Sequence, residues 1–363
     1  ANDRAKVSRL IGNTVTLFLA GSVVLAAVLV GLVDPIVRLV AVPEEAVAGT
    51  RTYLILCFIG IPCITAYNIL ASIFRGLGDS KSPMYFISVA CAANIILDLV
   101  FMGVMDMGPA GAALGTTLSQ TISVAVALIA IVKRRLISVS RSDFRTCREH
   151  IRRILNIGVP VALQDGFIQI AFIVITIIAN QRGLNDAAAV GIVEKIIGFI
   201  FLVPSSMLST VSAVCAQNIG AGKLDRAAKT LRYAIFIAAG FGLVVSVLIQ
   251  FIAEPVVGLF SSDTAVITMG GQYFRGYVAD CMFAGIHFCF SGYFCAYGKS
   301  GISFLHNFLS VLLARVPGAY LASKMFADTL LPMGLAAVAG SILSVIICTI
   351  AFVWIRKREP GVA

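Results

Sequence analysis

Long apolar stretches separated by short polar turns run the length of the chain. The stretch "IGNTVTLFLAGSVVLAAVLVGLV" at positions 11–33 carries no charge, and about 20 helical residues are enough to cross a bilayer. Turns such as "GDSKSP" and "MGPAG" separate the stretches, because proline and glycine interrupt helices. The pattern predicts ten membrane-spanning helices, at 10–33, 50–73, 84–105, 110–132, 157–180, 187–212, 230–252, 269–296, 302–323 and 333–355.

The composition also indicates a membrane location. Of the 363 residues, 59% are apolar and 13% are charged, whereas a soluble domain carries about 25% charged residues. Charged side chains are therefore too few to cover a surface in water. The sequence predicts an all-α membrane protein whose surroundings are the lipid bilayer.

The residue types that usually carry catalysis or bind metals form no recognisable site. The nine cysteines are scattered without a CxxC pair, and the three histidines lack the spacing of metal ligands. The sequence contains no P-loop, so ATP is not predicted as an energy source. We therefore expect neither an enzyme nor a protein with an organic cofactor.

Basic residues cluster in alternate connections between the predicted helices. These connections and the chain ends hold 21 of the 28 Lys and Arg residues, most densely at 133–153. The opposite connections hold acids, namely Asp34, Glu44, Glu45, Asp106, Glu254 and Asp263. Because basic loops stay on the cytoplasmic side, we expect a plasma-membrane protein with both ends of this chain in the cytoplasm. The alternation also argues against a nucleic-acid-binding surface at 133–153.

Two halves of the chain resemble each other at a nearly constant spacing. "NDRAKVSRL" at 2–10 resembles "LDRAAKTLR" at 224–232, and Tyr53, Phe74 and Gly78 each match an identical residue 220 positions later. Each copy contains four predicted helices, so the two copies have the same orientation in the membrane. The sequence therefore predicts two parallel-repeat helical bundles, an arrangement in which transporters bind substrate between the halves.

The segment 151–222 precedes the second copy and has no counterpart before the first. Since it holds two predicted helices, we expect a complete ancestor of twelve helices, of which this chain carries ten and lacks the first two. The predicted organisation is an N-lobe at 1–135 with the third to sixth helices, a basic cytoplasmic linker at 136–153, and a C-lobe at 154–363 with the seventh to twelfth.

One acid, Asp98, lies within the apolar stretch "NIILDLVFM" at 94–102. Asn94 is four residues earlier and therefore on the same helix face, and Thr116 on the next helix is predicted at a matching depth. A charged Asp in the bilayer centre costs at least about 2.5–3.5 kcal/mol, so it usually faces a cavity or a partner. Oxygen ligands suit a hard cation, and a lone buried carboxylate equally suits a proton. The alternative is structural, with Asp98 bonded to Asn94, a hydroxyl or the backbone to join two helices.

The second copy has no acid equivalent to Asp98. The predicted spans of the C-lobe carry other polar groups, namely Gln164, Asp165, Glu194, Lys195, Asp280 and Arg315. Because unpaired charges are costly in a membrane, one interpretation is a network in which Arg315 or Lys195 neutralises Asp165 and Asp280. The other interpretations are contacts with a substrate in a cavity and a second cation site.

Several segments together resemble one transporter family. The segments "IFRGLGDSKSPMYF" (73–86), "NIILDLVFM" and "GPAGAALGTTLSQ" (108–120), followed by "GVPVALQDGF" (158–167) and "AQNIGAGKLDRAAK" (216–229), are similar in order and spacing to the multidrug and toxic compound extrusion (MATE) family of the MOP superfamily. The resemblance implies two six-helix lobes around a central cavity. It also implies a cation or proton site at Asn94, Asp98 and Thr116, and places Asp165 and Asp280 about one turn earlier than the C-lobe acids of some members.

The resemblance implies a secondary active multidrug efflux antiporter. We expect it to act as a monomer, to export cationic or amphipathic drug-like molecules in exchange for Na⁺ or H⁺, and to work by alternating access between its two lobes. Two alternatives remain: a lipid-linked oligosaccharide flippase of the same superfamily, and an inactive transporter fragment.

Overall fold

The computed structural model describes residues 4–39, 44–134 and 140–358, and within these ranges it contains helices and connections but no strand. Residues 136–139 of the predicted linker lie outside the described ranges. The α-helices are α1 Arg4–Gly31, α2 Val33–Leu39, α3 Glu44–Gly76, α4 Lys81–Asp98, α5 Gly108–Arg134, α6 Arg148–Asn180, α7 Leu184–Ile200, α8 Leu202–Gly220, α9 Leu224–Gly258, α10 Thr264–Val278, α11 Asp280–Ala296, α12 Ser300–Ser310, α13 Val316–Met325 and α14 Leu331–Arg358.

Ten helical stretches in the described ranges are long and apolar enough to cross a membrane, which confirms the predicted number. Three of them join consecutive helices, α7 with α8, α10 with α11, and α12 with α13. Most stretches extend several residues beyond the predicted ends, as α9 does from Leu224. The apolar pattern predicts only the residues inside the hydrocarbon layer, whereas each helix continues into the polar surroundings.

The chain divides into two compact units, residues 1–154 and 155–363. In the first unit α3 packs against α1 and α5, and α4 packs against α5. Phe74 at the end of α3 meets Phe86 of α4 edge to face, with ring centroids 5.2 Å apart. This contact fixes the end of the α3–α4 hairpin and, with it, the position from which α4 runs toward Asp98.

A buried amide, Asn13 of α1, binds the segment that leads out of the first unit. Its Nδ2 donates to the carbonyl oxygens of Asp143 and Arg145, at 3.3 and 3.2 Å, and its Oδ1 accepts from the backbone N–H of Cys147 at 2.7 Å. Residues 141–144 form a 3₁₀ turn there, and α6 begins at Arg148. The last residues of the predicted linker are therefore helical.

In the second unit the stretch formed by α10 and α11 is the most enclosed. In its apolar 18-residue segment 67% of the residues are buried, compared with 6% in the corresponding segment of the stretch that contains α4. Tyr273 and Phe274 pack in a cluster with α7 and α14, and Tyr293 and Phe294 pack with α8 and α9. Its many aromatic residues therefore serve mainly to pack the helices of this unit together.

The turns that follow α3 and α11 share one backbone geometry. Gly78 and Gly298 have φ values of 91° and 70°, a region that residues with a Cβ rarely adopt. The backbone N–H groups of Asp79 and Lys299 donate to the carbonyls of Phe74 and Phe294, at 2.9 and 2.8 Å. The predicted repeat is thus visible as the same turn, 220 residues apart.

The helix that follows each of these turns contains a π-helical segment. In the first unit α4 continues as a π-helix at Leu99–Val104, directly after Asp98. In the second unit α12 and α13 are joined by a π-helix at Val311–Arg315, which ends on the partly buried Arg315. Such segments are rare and often occur at functional sites, and here each adjoins the charge that the sequence singles out.

Candidate functional site

Asp98 lies where α4 meets α5, at a point where α5 has a glycine. A Cβ on Gly115 would overlap Oδ1 of Asp98 and would lie 3.2 Å from its Cγ. The carboxyl group therefore occupies space that any other residue at position 115 would fill. Oδ1 is buried and has no hydrogen-bond partner among the described residues. Because a buried unsatisfied polar atom costs about 1–3 kcal/mol, this oxygen is a ready ligand for a cation or a proton.

Two amides on the same helical hairpin share this unsatisfied state. Nδ2 of Asn94, one turn before Asp98, and Oε1 of Gln120 on α5 are buried without a partner in the described part of the chain. The hydroxyl of Ser123 donates to the carbonyl of Phe86 at 3.0 Å. Together with the contact of Gly115 and Asp98, that bond sets the antiparallel register and brings Gln120 to about the level of Asn94.

Thr116 is the third residue predicted for the cation site. It directly follows Gly115 in α5, but unlike the unpartnered groups of Asn94 and Gln120 its side chain is exposed and hydrogen-bonded. Its side chain is exposed, and its hydroxyl donates to the carbonyl of Ala112 at 3.1 Å. Its oxygen can therefore offer only lone pairs to an ion. Sequence reasoning missed Gln120, although a glutamine four residues after Thr116 in an apolar helix lies on the same face and could have been found.

In the second unit Arg315 forms a buried ion pair with Asp280. Its Nη2 is 3.1 Å from Oδ2 of Asp280 and donates to the hydroxyl of Tyr277 at 2.7 Å. The rings of Phe172 and Tyr277 lie on the guanidinium, each with its centroid 5.5 Å from Cζ. The arginine is thus held by a carboxylate, a hydroxyl and two aromatic faces. Tyr277 near the end of α10 and Asp280 at the start of α11 both contact the guanidinium across the turn at residue 279.

A second acid, Glu194 of α7, lies close enough to Arg315 to interact with it electrostatically. One carboxylate oxygen is 3.4 Å from the hydroxyl of Thr176, which also donates to the carbonyl of Phe172 at 2.9 Å. The other oxygen, Oε1, is buried without a partner in the described residues. Arg315 therefore contacts Asp280 and acts on Glu194 electrostatically.

The remaining predicted residues lie apart from this ion pair. Asp165 is exposed and lines a concavity of about 380 Å³ with Gln169, Ser205 and the rings of Phe201 and Phe288. Gln164 is buried, with 1% of its surface exposed, and does not line the concavity. Lys195 is exposed, so Arg315 is the cation that the structure places with Asp280.

Comparison with known proteins identifies a family and several relatives of this chain. The family model MatE matches residues 1–100 and 160–321. A Bacillus subtilis protein named "Probable multidrug resistance protein YpnP" is 29% identical over 304 residues, which are 84% of this chain and 68% of that protein. A Shewanella oneidensis protein named "FAD transporter" is 24% identical over 300 residues, 80% of this chain and 66% of that protein. The chain thus spans about two thirds of the length of these curated relatives.

A solved structure of MATE in complex with MaL6 has the same fold. The two superpose with a TM-score of 0.90 at 23% sequence identity, over 99% of this chain and 81% of that one.

Proposed function

Because the chain belongs to the MatE family, we propose that it is a secondary active efflux transporter, which exports cationic or amphipathic small molecules in exchange for Na⁺ or H⁺. The observation that carries this proposal is the buried Oδ1 of Asp98, which has no partner in the described residues and lies against Gly115. Among the relatives, the Bacillus subtilis protein carries a multidrug resistance name.

The coupling ion binds at Asp98. Its carboxylate supplies the charge, and the side-chain amides of Asn94 and Gln120, about one turn away along the hairpin, supply neutral polar groups; the atoms without a partner in the described residues are Nδ2 of Asn94 and Oε1 of Gln120. Coupled transport requires that the ion bind one conformation more tightly than the other, because a ligand that binds both equally does not change their relative populations. An empty, charged Asp98 is costly in a membrane, so the ion-free and ion-bound forms of this hairpin differ in free energy.

The exported substrate contacts Asp165 in the C-lobe. The concavity around it has room for a small molecule and combines one carboxylate with two aromatic rings, a combination that attracts organic cations. The relative named an FAD transporter points to bulky anions as the competing class, which a carboxylate at this position repels. Competition between an organic cation and FAD during transport distinguishes the two.

The basic connections face the cytoplasm, as the positive-inside rule requires. Cys147 is exposed and lies in the basic segment 133–153. A membrane-impermeant thiol reagent should therefore modify Cys147 in inverted vesicles and spare it in right-side-out ones. The Cys147→Ser variant measures the labelling that comes from other cysteines, and labelling in both orientations would contradict the assignment.

The test of the whole proposal is transport in liposomes, driven separately by a Na⁺ gradient and by a pH gradient. Asp98→Asn should abolish transport driven by either gradient while the protein still inserts and folds. The matched control is Asp106→Asn, the same change at an exposed position in the turn that follows α4 and its π-helical extension. The proposal fails if Asp98→Asn transports at the rate of this control.

A further inference from the structure

A concavity separate from the sites above lies in the second unit between α9, α11 and α14. Its volume is about 500 Å³, within the usual range of about 300–1,000 Å³ for small-molecule sites. Among the described residues, Lys229, Arg232 and Arg356 line it together with one acid, Asp225. Three cations against one carboxylate give a positive field that favours an anionic group.

The floor of this concavity is apolar. The rings of Phe290 and Phe352 meet edge to face at 5.8 Å, and Cζ of Arg356 lies 5.7 Å from the centroid of Phe352. The aromatic ring thus positions the guanidinium at the edge of the floor. A ligand that fits must combine an anionic head with an apolar body.

The concavity lies at the level of the membrane surface. Helix α9 has 35 residues and is therefore about 53 Å long, much longer than the hydrocarbon layer of about 30 Å. Its charged first turns, which carry Lys229 and Arg232, project into the headgroup region. Tyr233 and Trp354 are exposed and lie within two residues of the lining residues Arg232 and Arg356 in the sequence, and such aromatic residues concentrate at the interface between lipid and water.

Beyond the concavity, α9 offers an apolar track toward the middle of the bilayer. Phe236 lines the concavity and is 69% exposed, and exposed apolar residues such as Val244 and Val247 continue as far as Phe251, which is 79% exposed. A soluble phosphate would use only the cations. A phospholipid would use the cations for its headgroup and this track for an acyl chain.

We propose that the concavity binds the headgroup of an anionic phospholipid, with the phosphate between Lys229, Arg232 and Arg356 and an acyl chain along α9. Basic pockets between transmembrane helices at the cytoplasmic surface bind such headgroups. The site does not depend on the proposed transport activity, because it is built from residues outside both the Asp98 hairpin and the Asp165 concavity.

Fluorescence quenching by brominated lipids tests the site. The chain has one tryptophan, so Trp354→Phe removes the background and Phe236→Trp places a reporter at the concavity. Brominated phosphatidylglycerol should bind there at least about five-fold more strongly than brominated phosphatidylcholine. Phe251→Trp, a reporter at the other end of α9, should give a ratio near one. Equal ratios at the two reporters would overturn the proposal.

The decisive variant replaces the three basic residues of the concavity by Gln in the Phe236→Trp background. The ratio should fall to the value at position 251. A control removes three exposed cations outside the concavity, Arg152, Arg153 and Lys223, and should keep the preference. All replacements lie near the protein surface, and size-exclusion chromatography verifies folding. A preference that survives the first triple replacement, or that both triple replacements abolish equally, would refute the site.

Discussion

The helices that follow the two equivalent turns each contain a π-helical segment, at different positions, and carry opposite charges. In the first unit α4 leads into a π-helix and carries Asp98, whose Oδ1 has no partner in the described residues. In the second unit the corresponding helix carries Arg315 at the end of its own π-helix, and that cation is bound by Asp280 and Tyr277. The position equivalent to Asp98 is Gly318. The first copy leaves one carboxylate oxygen without a partner in the described residues, where we propose that an ion binds, and the second neutralises its charge with a counter-charge of the protein.

On the proposed function, this difference gives the two units separate tasks. A charge that can be satisfied only by a mobile ion responds to the concentration of that ion, as coupling requires. A charge that is neutralised by a fixed counter-charge, as Arg315 is by Asp280, gives no such response and instead fastens helices together. The following predictions test that division, from the largest expected effect to the smallest.

Arg315→Met should lower the free energy of unfolding by about 3–5 kcal/mol, because it leaves Asp280 buried without a counter-charge. The double variant with Asp280→Leu should recover most of this loss, since it removes both charges. Chemical unfolding in detergent measures both. The control is Arg51→Gln, which breaks an exposed pair with Asp34 and should cost less than about 1 kcal/mol. Equal losses in the two single variants would contradict the fastening role of Arg315.

Gly115→Ala should disable ion coupling in the first unit, because the new Cβ overlaps the carboxyl group of Asp98. Overpacking of this kind costs about 1–3 kcal/mol, so ion-driven transport in liposomes should fall roughly ten-fold. Gly103→Ala is the matched control, since a Cβ there meets no atom within 4 Å. Normal transport by Gly115→Ala would show that the carboxyl group need not occupy this space.

Asn94→Leu should raise the ion concentration needed for half-maximal transport by roughly ten-fold, as expected when a ligand that contributes up to about 1.5 kcal/mol is lost. Thr116→Val should raise it only about two-fold, because that hydroxyl already donates to Ala112. Titration of transport against Na⁺ or pH measures both. A larger effect at Thr116 would make its hydroxyl, and not the Asn94 amide, the principal neutral ligand.

Gly78→Ala and Gly298→Ala should each destabilise the protein by about 1 kcal/mol, since both residues have positive φ. Thermal unfolding should show equal losses, because the two turns are copies of one structure. Gly301→Ala, at a helical position where a Cβ meets no atom within 4 Å, should not destabilise. Unequal losses of stability would show that the two turns are not structurally equivalent.

The sequence predicted the elements well because the bilayer imposes a strong pattern. Ten apolar stretches correspond to ten helical stretches in the described residues. Helical periodicity also placed Asn94 and Asp98 on one face. The neighbour of Asp98 across the helix pair could not be predicted, because packing sets the register between helices. Gly115 belongs to this register, because its lack of a side chain makes room for the acid.

The π-helices could not be predicted from the sequence, because no local pattern marks them. The segment "LVFMGV" at 99–104 is as apolar as its neighbours and gives no signal of a wider turn. In the second unit charge balance suggested Arg315 as the partner of Asp280, but the contributions of Phe172 and Tyr277 depend on how three helices meet. Local patterns predict which groups are costly to bury, whereas the fold decides which neighbours satisfy them.

The hydrogen bonds of Asn13 bear on how the chain can be divided for co-expression. Its side chain binds backbone groups of Asp143, Arg145 and Cys147, so this part of the connection belongs structurally to the first polypeptide half. A gene split before position 140 would give the segment to the second half and separate it from its anchor. A split after Cys147 keeps the anchor with its partners, and leaves α6 whole at the start of the second half.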